Sequence, residues 1–199
     1  MFWDKIAGVY DLFGYFYNGK ANKELCNEVI SHIENKDVVL ECACGTGMIS
    51  EKIATKCKRL VATDYSEGML KQTRKKCKKY NNVEIRKADI TKLDFPDNSF
   101  DVVVAANIIH LLDEPYKTVE ELNRVCKIGG IIIIPTYVNK EKKEDINNFV
   151  KTVDKVGAEF KQQFTYTSYI NFIKDTGHDV IETKLINGRI PCAIAVIKK

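Results

Sequence analysis

Short strand-like segments that end on an acidic residue recur along the first half of the chain. Residues 38–40 with Glu41 and residues 59–63 with Asp64 are mainly apolar, and residues 83–88 with Asp89 include alternating apolar and polar positions. Runs of this length indicate strands of a parallel sheet, whose carboxyl ends lie at one edge of that sheet. The pattern therefore predicts three successive parallel strands, each with a carboxylate at its tip.

Four further strands are predicted, over residues 102–106, 131–134, 179–185 and 194–197. The last two are joined around Asn187-Gly188, which is typical of a hairpin. Apolar residues at helical spacing separate the strands, for example Leu25, Val29 and Ile33 in a predicted helix over residues 20–35. We predict one α/β domain over residues 1–199, with a Rossmann-like, doubly wound, seven-stranded sheet that is mostly parallel and has an antiparallel last strand.

Two segments rich in aromatic residues flank this pattern. Residues 1–19, which Gly19 is predicted to end, have apolar residues at helical spacing and are interpreted as an N-terminal lid segment. Residues 139–177 contain an apolar stripe over residues 146–156 and further aromatic residues, and are interpreted as a substrate-side insertion. For both segments, packing into the domain core is the alternative.

The composition of the 199 residues, 45% hydrophobic and 29% charged, is that of one globular domain. The longest apolar stretch, near residues 102–112, is too short to cross a bilayer. No leader pattern is visible, so we expect a cytoplasmic protein without membrane contact. The seven cysteines are scattered and odd in number, which argues against a disulfide framework. None has the spacing of a zinc site, so no metal is expected.

Positive charge is concentrated in residues 71–79, although the net charge is only +4. The basic members are Lys71, Arg74, Lys75, Lys76, Lys78 and Lys79. A solvated helix face is the favoured interpretation, because no aromatic residues are interleaved to stack on bases. RNA contact is the alternative. Because the solvated face is the favoured interpretation, nucleic acid is not an expected partner.

Residues 41–50 read Glu-Cys-Ala-Cys-Gly-Thr-Gly-Met-Ile-Ser and follow the first predicted strand. Glycine permits a tight turn and a close approach of the backbone to a ligand, and a helix is predicted from Thr46 onward. A dinucleotide-binding loop would have glycine or alanine where Ser50 stands. A pyrophosphate would also gain nothing from Glu41, whereas a cationic ligand would.

This acid, followed by a small-x-Gly-x-Gly loop, resembles the first motif of class I S-adenosylmethionine (SAM)-dependent methyltransferases. The methionine end of SAM carries an ammonium and a sulfonium, so SAM is the expected cofactor and NAD the rejected alternative. Residues 97–112 also resemble the family's D-x-S-F-D segment and its following histidine, here His110. Ala43 and Ile128 depart from the glycine and proline that are usual in the family.

The strand tips receive cofactor roles in this interpretation. Asp64 lies close to the roughly 20-residue offset at which an acid meets a ribose diol. The resemblance implies that Asp89 accepts a hydrogen bond from the adenine amino group, and Tyr65 and Met69 are candidates for the adenine walls. The predicted cofactor-binding set is Glu41, Ala43, Cys44, Gly45, Thr46, Gly47, Asp64, Tyr65, Met69, Ala88, Asp89, Ile90 and Asn107.

By residues 2–11 and the motifs above, the chain is most similar to the small-molecule methyltransferases of ubiquinone and menaquinone biosynthesis. The resemblance implies methyl transfer from SAM to an O, N or C nucleophile of a small molecule, with release of S-adenosylhomocysteine (SAH). We expect a monomer or homodimer. His110 is the candidate general base, with packing beside the pocket as the alternative. Tyr10 and Tyr17 are candidate lid residues over the cofactor or the acceptor.

Two alternative functions are considered. The chain could be a methyltransferase of RNA or protein, or it could be a non-catalytic SAM-binding subunit. An adenine methylase of RNA or DNA would be expected to have Asn/Asp-Pro-Pro-Tyr/Phe after the fourth strand, where residues 107–110 read Asn-Ile-Ile-His. A cytosine C5 methylase would need Pro-Cys at that place, but Pro191-Cys192 precedes the last strand instead. These differences favour a small-molecule acceptor.

Overall fold

The computed structural model describes residues 2–8, 10–140 and 161–199, without the side chains of residue 2 and residues 10–17. Its described helices are α1 (Phe2–Ile6), α2 (Tyr10–Ser31), α3 (Met48–Ile53), α4 (Glu67–Cys77), α5 (Pro115–Val125) and α6 (Tyr166–Asp175), with a 3₁₀ turn at Ile109–Leu111. Its strands are β1 (Val38–Cys42), β2 (Arg59–Asp64), β3 (Val83–Lys87), β4 (Phe100–Ala105), β5 (Cys126–Tyr137), β6 (Asp179–Ile186) and β7 (Cys192–Lys198). Within these residues, no helix has the length and apolar character needed to span a bilayer.

The seven strands form one sheet in the order β3-β2-β1-β4-β5-β7-β6. The first five in this order are parallel, and β7 lies antiparallel between β5 and β6. This confirms the predicted sheet and its antiparallel last strand. The strand order reverses between β1 and β4, and ligands of such sheets bind in the crevice at the carboxyl ends of the strands there.

Apolar layers cover both faces of the sheet. On β1, Val39 faces one layer and Leu40 the other, and both side chains are fully buried. Helices α2, α3 and α4 pack on the Val39 side, and α5 and α6 pack on the Leu40 side. Because successive side chains of a strand point to opposite faces, a strand covered on both faces needs an apolar residue at each position. This is why the run before Glu41 contains no polar residue.

The helical backbone that begins at Tyr10 is interrupted next to Gly19, the predicted end of the N-terminal segment, and a second helical segment continues to Ser31. The backbone is irregular one residue before Gly19, at Asn18, where φ is −143° and ψ is 21°. Asn18 is buried, its amide nitrogen donates to the Ile190 carbonyl at 2.8 Å, and its amide oxygen accepts from the Ile190 N–H at 3.4 Å. The break in α2 is thus tied to the turn before β7, 172 residues away in sequence.

The last strands are longer than predicted, because backbone pairing extends them beyond their apolar residues. β5 spans Cys126–Tyr137 rather than residues 131–134. Its first half includes Gly129, whose N–H donates to the Lys199 carbonyl at 2.8 Å. A strand end that is held by backbone hydrogen bonds needs no apolar side chains, so hydrophobic pattern alone underestimates its length.

Aromatic residues of the predicted substrate-side insertion belong to the core where the structure describes them. Tyr169 on α6 is fully buried, and its hydroxyl donates to the Ile134 carbonyl. Phe164 and Phe172 are buried against the Tyr169 ring. Core packing, the alternative interpretation of this segment, therefore holds for α6. The apolar stripe over residues 146–156 lies outside the described residues.

Candidate cofactor and active site

The chain leaves β1 through a turn whose backbone is left-handed at three positions. Ala43, Gly45 and Gly47 have φ values of +52°, +56° and +83°. The Cys44 N–H donates to the Thr63 carbonyl at 2.9 Å, and the Gly47 N–H donates to the Cys44 carbonyl at 3.0 Å. A residue that has a Cβ and adopts left-handed backbone angles raises the conformational free energy by about 1–2 kcal/mol. The alanine at position 43, where the family usually has glycine, therefore places strain in the turn. Helix α3, which was predicted from Thr46 onward, begins at Met48.

A cavity of about 620 Å³ opens beside this turn, a volume typical of small-molecule sites. Six of the predicted cofactor-binding residues line it: Glu41, Ala43, Cys44, Gly45, Thr46 and Asn107. Asn107 follows β4 with a left-handed φ of +55°, and its N–H donates to the Pro135 carbonyl at 2.7 Å. The fold thus brings the turn after β1 and the residue after β4 to one cavity at the reversal of strand order.

Glu41 is the buried acid of the cavity wall, with 1% of its surface exposed. Its carboxylate accepts a hydrogen bond from Ser50 Oγ at 2.5 Å. Burial raises the pKa of Glu41 to about 8, while the Ser50 hydrogen bond opposes this shift and the charge of Asp64 adds to it. Near neutral pH the carboxyl group is mostly protonated, and an ammonium in the cavity would favour its ionised form. Glu41 therefore fits the predicted place beside a cationic ligand.

Glu41→Gln is expected to remove a pH dependence from SAH binding. If the ammonium of SAH pairs with ionised Glu41, binding below about pH 8 must first release the carboxyl proton. The association constant of the wild type should rise with pH, by at most about tenfold per unit, and level off above the pKa. Calorimetric titrations across this range measure it. A slope that persists in the Gln variant would mean that another group titrates.

Asp64, at the tip of β2, accepts hydrogen bonds from two backbone N–H groups. Its Oδ2 accepts from Gly45 at 2.8 Å and its Oδ1 accepts from Ser66 at 2.8 Å. Burial raises the pKa of Asp64, and these two N–H groups act in the opposite direction. The carboxylate therefore joins the turn after β1 to the first turn of α4. Its contact with a ribose stays a prediction.

The residues predicted near adenine lie at the ends of β2 and β3 and in the first turn of α4, and they are not among the described residues that line the cavity. They are Tyr65, Met69, Ala88, Asp89 and Ile90. Tyr65 is 52% exposed, whereas Met69 is buried. Asp89 is exposed, and its carboxylate accepts from the N–H and the hydroxyl of Thr91 at 2.9 and 2.7 Å. The adenine contacts of these residues stay predictions.

His110 lies in the 3₁₀ turn after β4 and is only 2% exposed. Its Nδ1 is 2.9 Å from Thr136 Oγ1. Burial lowers the pKa of His110 to about 3, so the ring is neutral near pH 7. His110 is not among the described residues that line the cavity. These observations favour packing beside the pocket, the alternative that the sequence analysis left open. They do not support a role of His110 as general base, which stays a prediction.

His110→Ala is expected to lower the free energy of unfolding by about 1–3 kcal/mol, because it removes a buried hydrogen-bond partner of Thr136. The wild type loses stability as pH falls below 6.5, since the folded state disfavours protonation of this ring. The variant should lose less stability over the same acid range. Chemical denaturation at two pH values measures both effects. Unchanged stability with a large loss of turnover would instead identify a base.

The cavity has a polar side that the sequence interpretation missed, and it comes from one face of α2. Its members are Asn22, Lys23, Cys26 and Asn27. Their spacing of one, four and five residues is that of neighbours on a helix. The helical spacing of these residues is visible in the sequence, next to the apolar stripe that begins at Leu25. Tyr10 and Tyr17, the predicted lid residues, also belong to α2, but their side chains lie outside the described residues.

One cluster away from the cavity has the side-chain types of a metal site. Among the described residues, Glu28, His32 and Glu182 place possible ligand atoms within 4.8 Å of one another. The Lys184 ammonium already donates to the Glu28 carboxylate at 2.5 Å, and its charge opposes a cation at this place. We therefore describe the cluster as part of an ion-pair network between α2 and β6.

Comparisons with known proteins agree with this geometry. Residues 40–134 match the family described as "Methyltransferase domain". The chain is 42% identical over 96 residues to a demethylmenaquinone methyltransferase of Clavibacter sepedonicus, and the aligned region covers 48% of this chain and 39% of that protein. It is 31% identical over 135 residues to a phosphatidylethanolamine N-methyltransferase of Cereibacter sphaeroides, and the aligned region covers 64% of each protein. The chain thus spans less than two thirds of the length of either relative.

Solved structures share the whole fold. The chain superposes on a SAM-dependent methyltransferase from Aquifex aeolicus with a TM-score of 0.71, over 97% of this chain and 96% of that one, at 22% identity. Similarity at this level establishes the fold, and function has to be argued from the site.

Proposed function

We propose that the chain is a class I SAM-dependent methyltransferase that transfers a methyl group from SAM to a nucleophilic atom of a small molecule, because residues 40–134 match the methyltransferase-domain family and the relatives above are methyltransferases. The observation that carries the proposal is the left-handed turn at residues 43–47 beside the buried Glu41, at the wall of one cavity. A turn of this shape lets backbone approach a ligand closely. The acid beside it favours a ligand with an ammonium group over a pyrophosphate.

The residues of the chain fit SAM by position and charge. When bound, SAM supplies a methyl group on a sulfonium, which is electrophilic without further activation. Ionised Glu41 would hold the ammonium end, and Asp64 keeps the turn in place through the Gly45 N–H. Positioning a donor and an acceptor in line can contribute roughly 7–11 kcal/mol to lowering a barrier. Positioning is therefore the main catalytic task that we propose for this site.

The acceptor class is supported by the relatives. The names of the two relatives above specify demethylmenaquinone and phosphatidylethanolamine, which are small molecules rather than nucleic acids or proteins. We propose an acceptor of the same broad class. Action on RNA or protein and SAM binding without catalysis remain the competing functions, and each predicts a different experimental outcome.

Calorimetry with SAH and NADH, followed by transfer assays with methyl-labelled SAM, tests the proposal. We expect SAH to bind and NADH not to bind, and label to pass to a reduced demethylated naphthoquinone, an ethanolamine phospholipid or a related small molecule. Tight SAH binding with no transfer to a broad small-molecule panel would favour a non-catalytic subunit. Label in RNA or protein would redirect the acceptor class, and binding of NADH alone would overturn the proposal.

A further inference from the structure

One buried side chain of α4 contacts the turn after β1 directly. Thr73 is fully buried, and its hydroxyl donates to the Gly45 carbonyl at 2.7 Å. The Met69 carbonyl, one helical turn earlier on α4, is farther from this hydroxyl, at 3.3 Å. A threonine hydroxyl has one proton to donate, so the shorter distance favours the bond to Gly45. Thr73 is not among the described residues that line the cavity, so it acts on the turn rather than on a ligand.

Gly45 is therefore held by two different elements of the fold. Its N–H donates to the Asp64 carboxylate at the tip of β2, and its carbonyl accepts from Thr73 on α4. Glycine has access to more backbone conformations than any other residue, and Gly45 adopts only one of them, with a φ of +56°. The two hydrogen bonds fix the peptide groups on either side of Gly45, which restricts the turn to this conformation.

Thr73 has two further contacts with the same turn. Its Oγ1 lies 3.7 Å from Cys44 Sγ, and burial raises the pKa of the Cys44 thiol, so the thiol keeps its proton and can donate to the hydroxyl. Its Cγ2 packs at Gly47, where an added Cβ would lie 2.9 Å from it. One side chain thus contacts the turn at three residues, and two of these, Cys44 and Gly45, line the cavity.

We propose that Thr73 is a positioning residue for the cofactor, and that its hydroxyl holds the Gly45 carbonyl so that the turn after β1 keeps its left-handed shape beside the cavity. The proposal rests on the proposed function, in which SAM is the ligand of this turn. A turn that is already held when the ligand arrives loses less conformational freedom on binding. The hydroxyl of Thr73 should therefore affect cofactor affinity as well as stability.

The test compares Thr73→Val, which removes the hydroxyl at nearly constant volume, with Thr73→Ser, which keeps the hydroxyl. We expect the affinity for SAH to fall by about tenfold in Thr73→Val and to stay within about threefold of the wild type in Thr73→Ser. Calorimetric titrations of the full chain, well below the melting temperature of each variant, measure the affinity of the folded protein. A purely structural threonine would lower the melting temperature without changing this affinity.

Thr118→Val is the matched control. Thr118 is also a buried threonine on a helix, and its hydroxyl donates to the Glu114 carbonyl one turn earlier at 3.2 Å, but it does not belong to the described lining of the cavity. Its variant should change SAH affinity by less than about twofold. An equal loss in Thr118→Val, a loss in Thr73→Ser as large as in Thr73→Val, or wild-type affinity in Thr73→Val would each overturn the proposal. Thr73→Ala replaces Thr73→Val if the latter does not fold, because alanine adds no atom to the site.

Amide hydrogen exchange in the SAH-free chain separates this proposal from the proposed function. The N–H groups of Gly45 and Gly47 are hydrogen-bonded within and beside the turn, so they should exchange at least about fivefold faster in Thr73→Val and at the wild-type rate in Thr118→Val. Unchanged exchange in Thr73→Val would overturn the positioning role. Failure of SAH to bind the wild type would overturn the proposed function instead, and the exchange rates would still show whether Thr73 holds the turn.

Discussion

Gly47→Ala will lower the affinity for SAH by at least about 100-fold, which corresponds to about 2.7 kcal/mol. Gly47 has a φ of +83°, and a Cβ placed there would lie 2.9 Å from Thr73 Cγ2 and 3.0 Å from Thr73 Cα. The second contact is with backbone of α4, which does not yield as a flexible side chain would. The turn must therefore move away from α4, and this movement displaces the N–H groups and the left-handed geometry on which the cofactor site depends.

Gly129→Ala is the matched control for this variant. Gly129 has nearly the same φ, +80°, but a Cβ there meets no atom within 4 Å. Both variants carry the cost of about 1–2 kcal/mol for a Cβ in left-handed backbone, so both should melt at lower temperature. Only Gly47→Ala should lose SAH binding in calorimetry. If the two variants bound SAH equally well, the turn after β1 would not contact the ligand.

Asp64→Ala has the second-largest expected effect, a roughly 100-fold loss of SAH affinity together with lower thermal stability. The substitution removes the acceptor of the Gly45 and Ser66 N–H groups, in addition to the predicted ribose contact. Hydrogen bonds to a charged group contribute about 1.5–3 kcal/mol each. The turn and the first turn of α4 lose their connection, so the effect exceeds that of one ligand contact.

Asp64→Asn and Asp89→Ala separate these contributions. Asparagine keeps one carbonyl oxygen to accept an N–H, so Asp64→Asn should retain more stability than alanine while still losing charge at the ribose. Asp89 is the equivalent acid at the end of β3, but it is exposed and its carboxylate bonds locally to Thr91. We expect Asp89→Ala to change SAH affinity by less than about tenfold. Equal losses at both acids would contradict the anchoring role of Asp64, and thermal melting with SAH titration measures all three variants.

The sheet and the turn after β1 could be predicted from the sequence because their signals are local. A parallel strand covered on both faces requires a run such as Val38-Val39-Leu40, and a left-handed turn requires glycine or a small residue at defined places. The acid that ends the first run was also readable as the partner of a cationic ligand. Six predicted residues accordingly meet at one cavity.

Other features depended on contacts between residues far apart in sequence. The break in α2 at Asn18 coincides with the hydrogen bonds of Asn18 to Ile190, and the burial of His110 depends on packing that places Thr136 against its ring. Helical periodicity identifies the face of a helix but not the element that the face meets. The sequence could therefore name the lysine-rich run at residues 71–79, but it could not show that Lys76 is the member of this run among the described lining residues of the cavity.

The amino-acid sequence by itself determined the strand positions, the bend after β1 and the acids at the strand tips, because each follows from backbone geometry within a few residues. The tertiary structure alone decided that Asp64 holds two backbone N–H groups, that His110 lies in the core, and that Lys23, Lys52 and Lys76 share one cavity. The physical reason is that burial, charge balance and pKa depend on the distances between elements, which the folded sheet and its covering helices set.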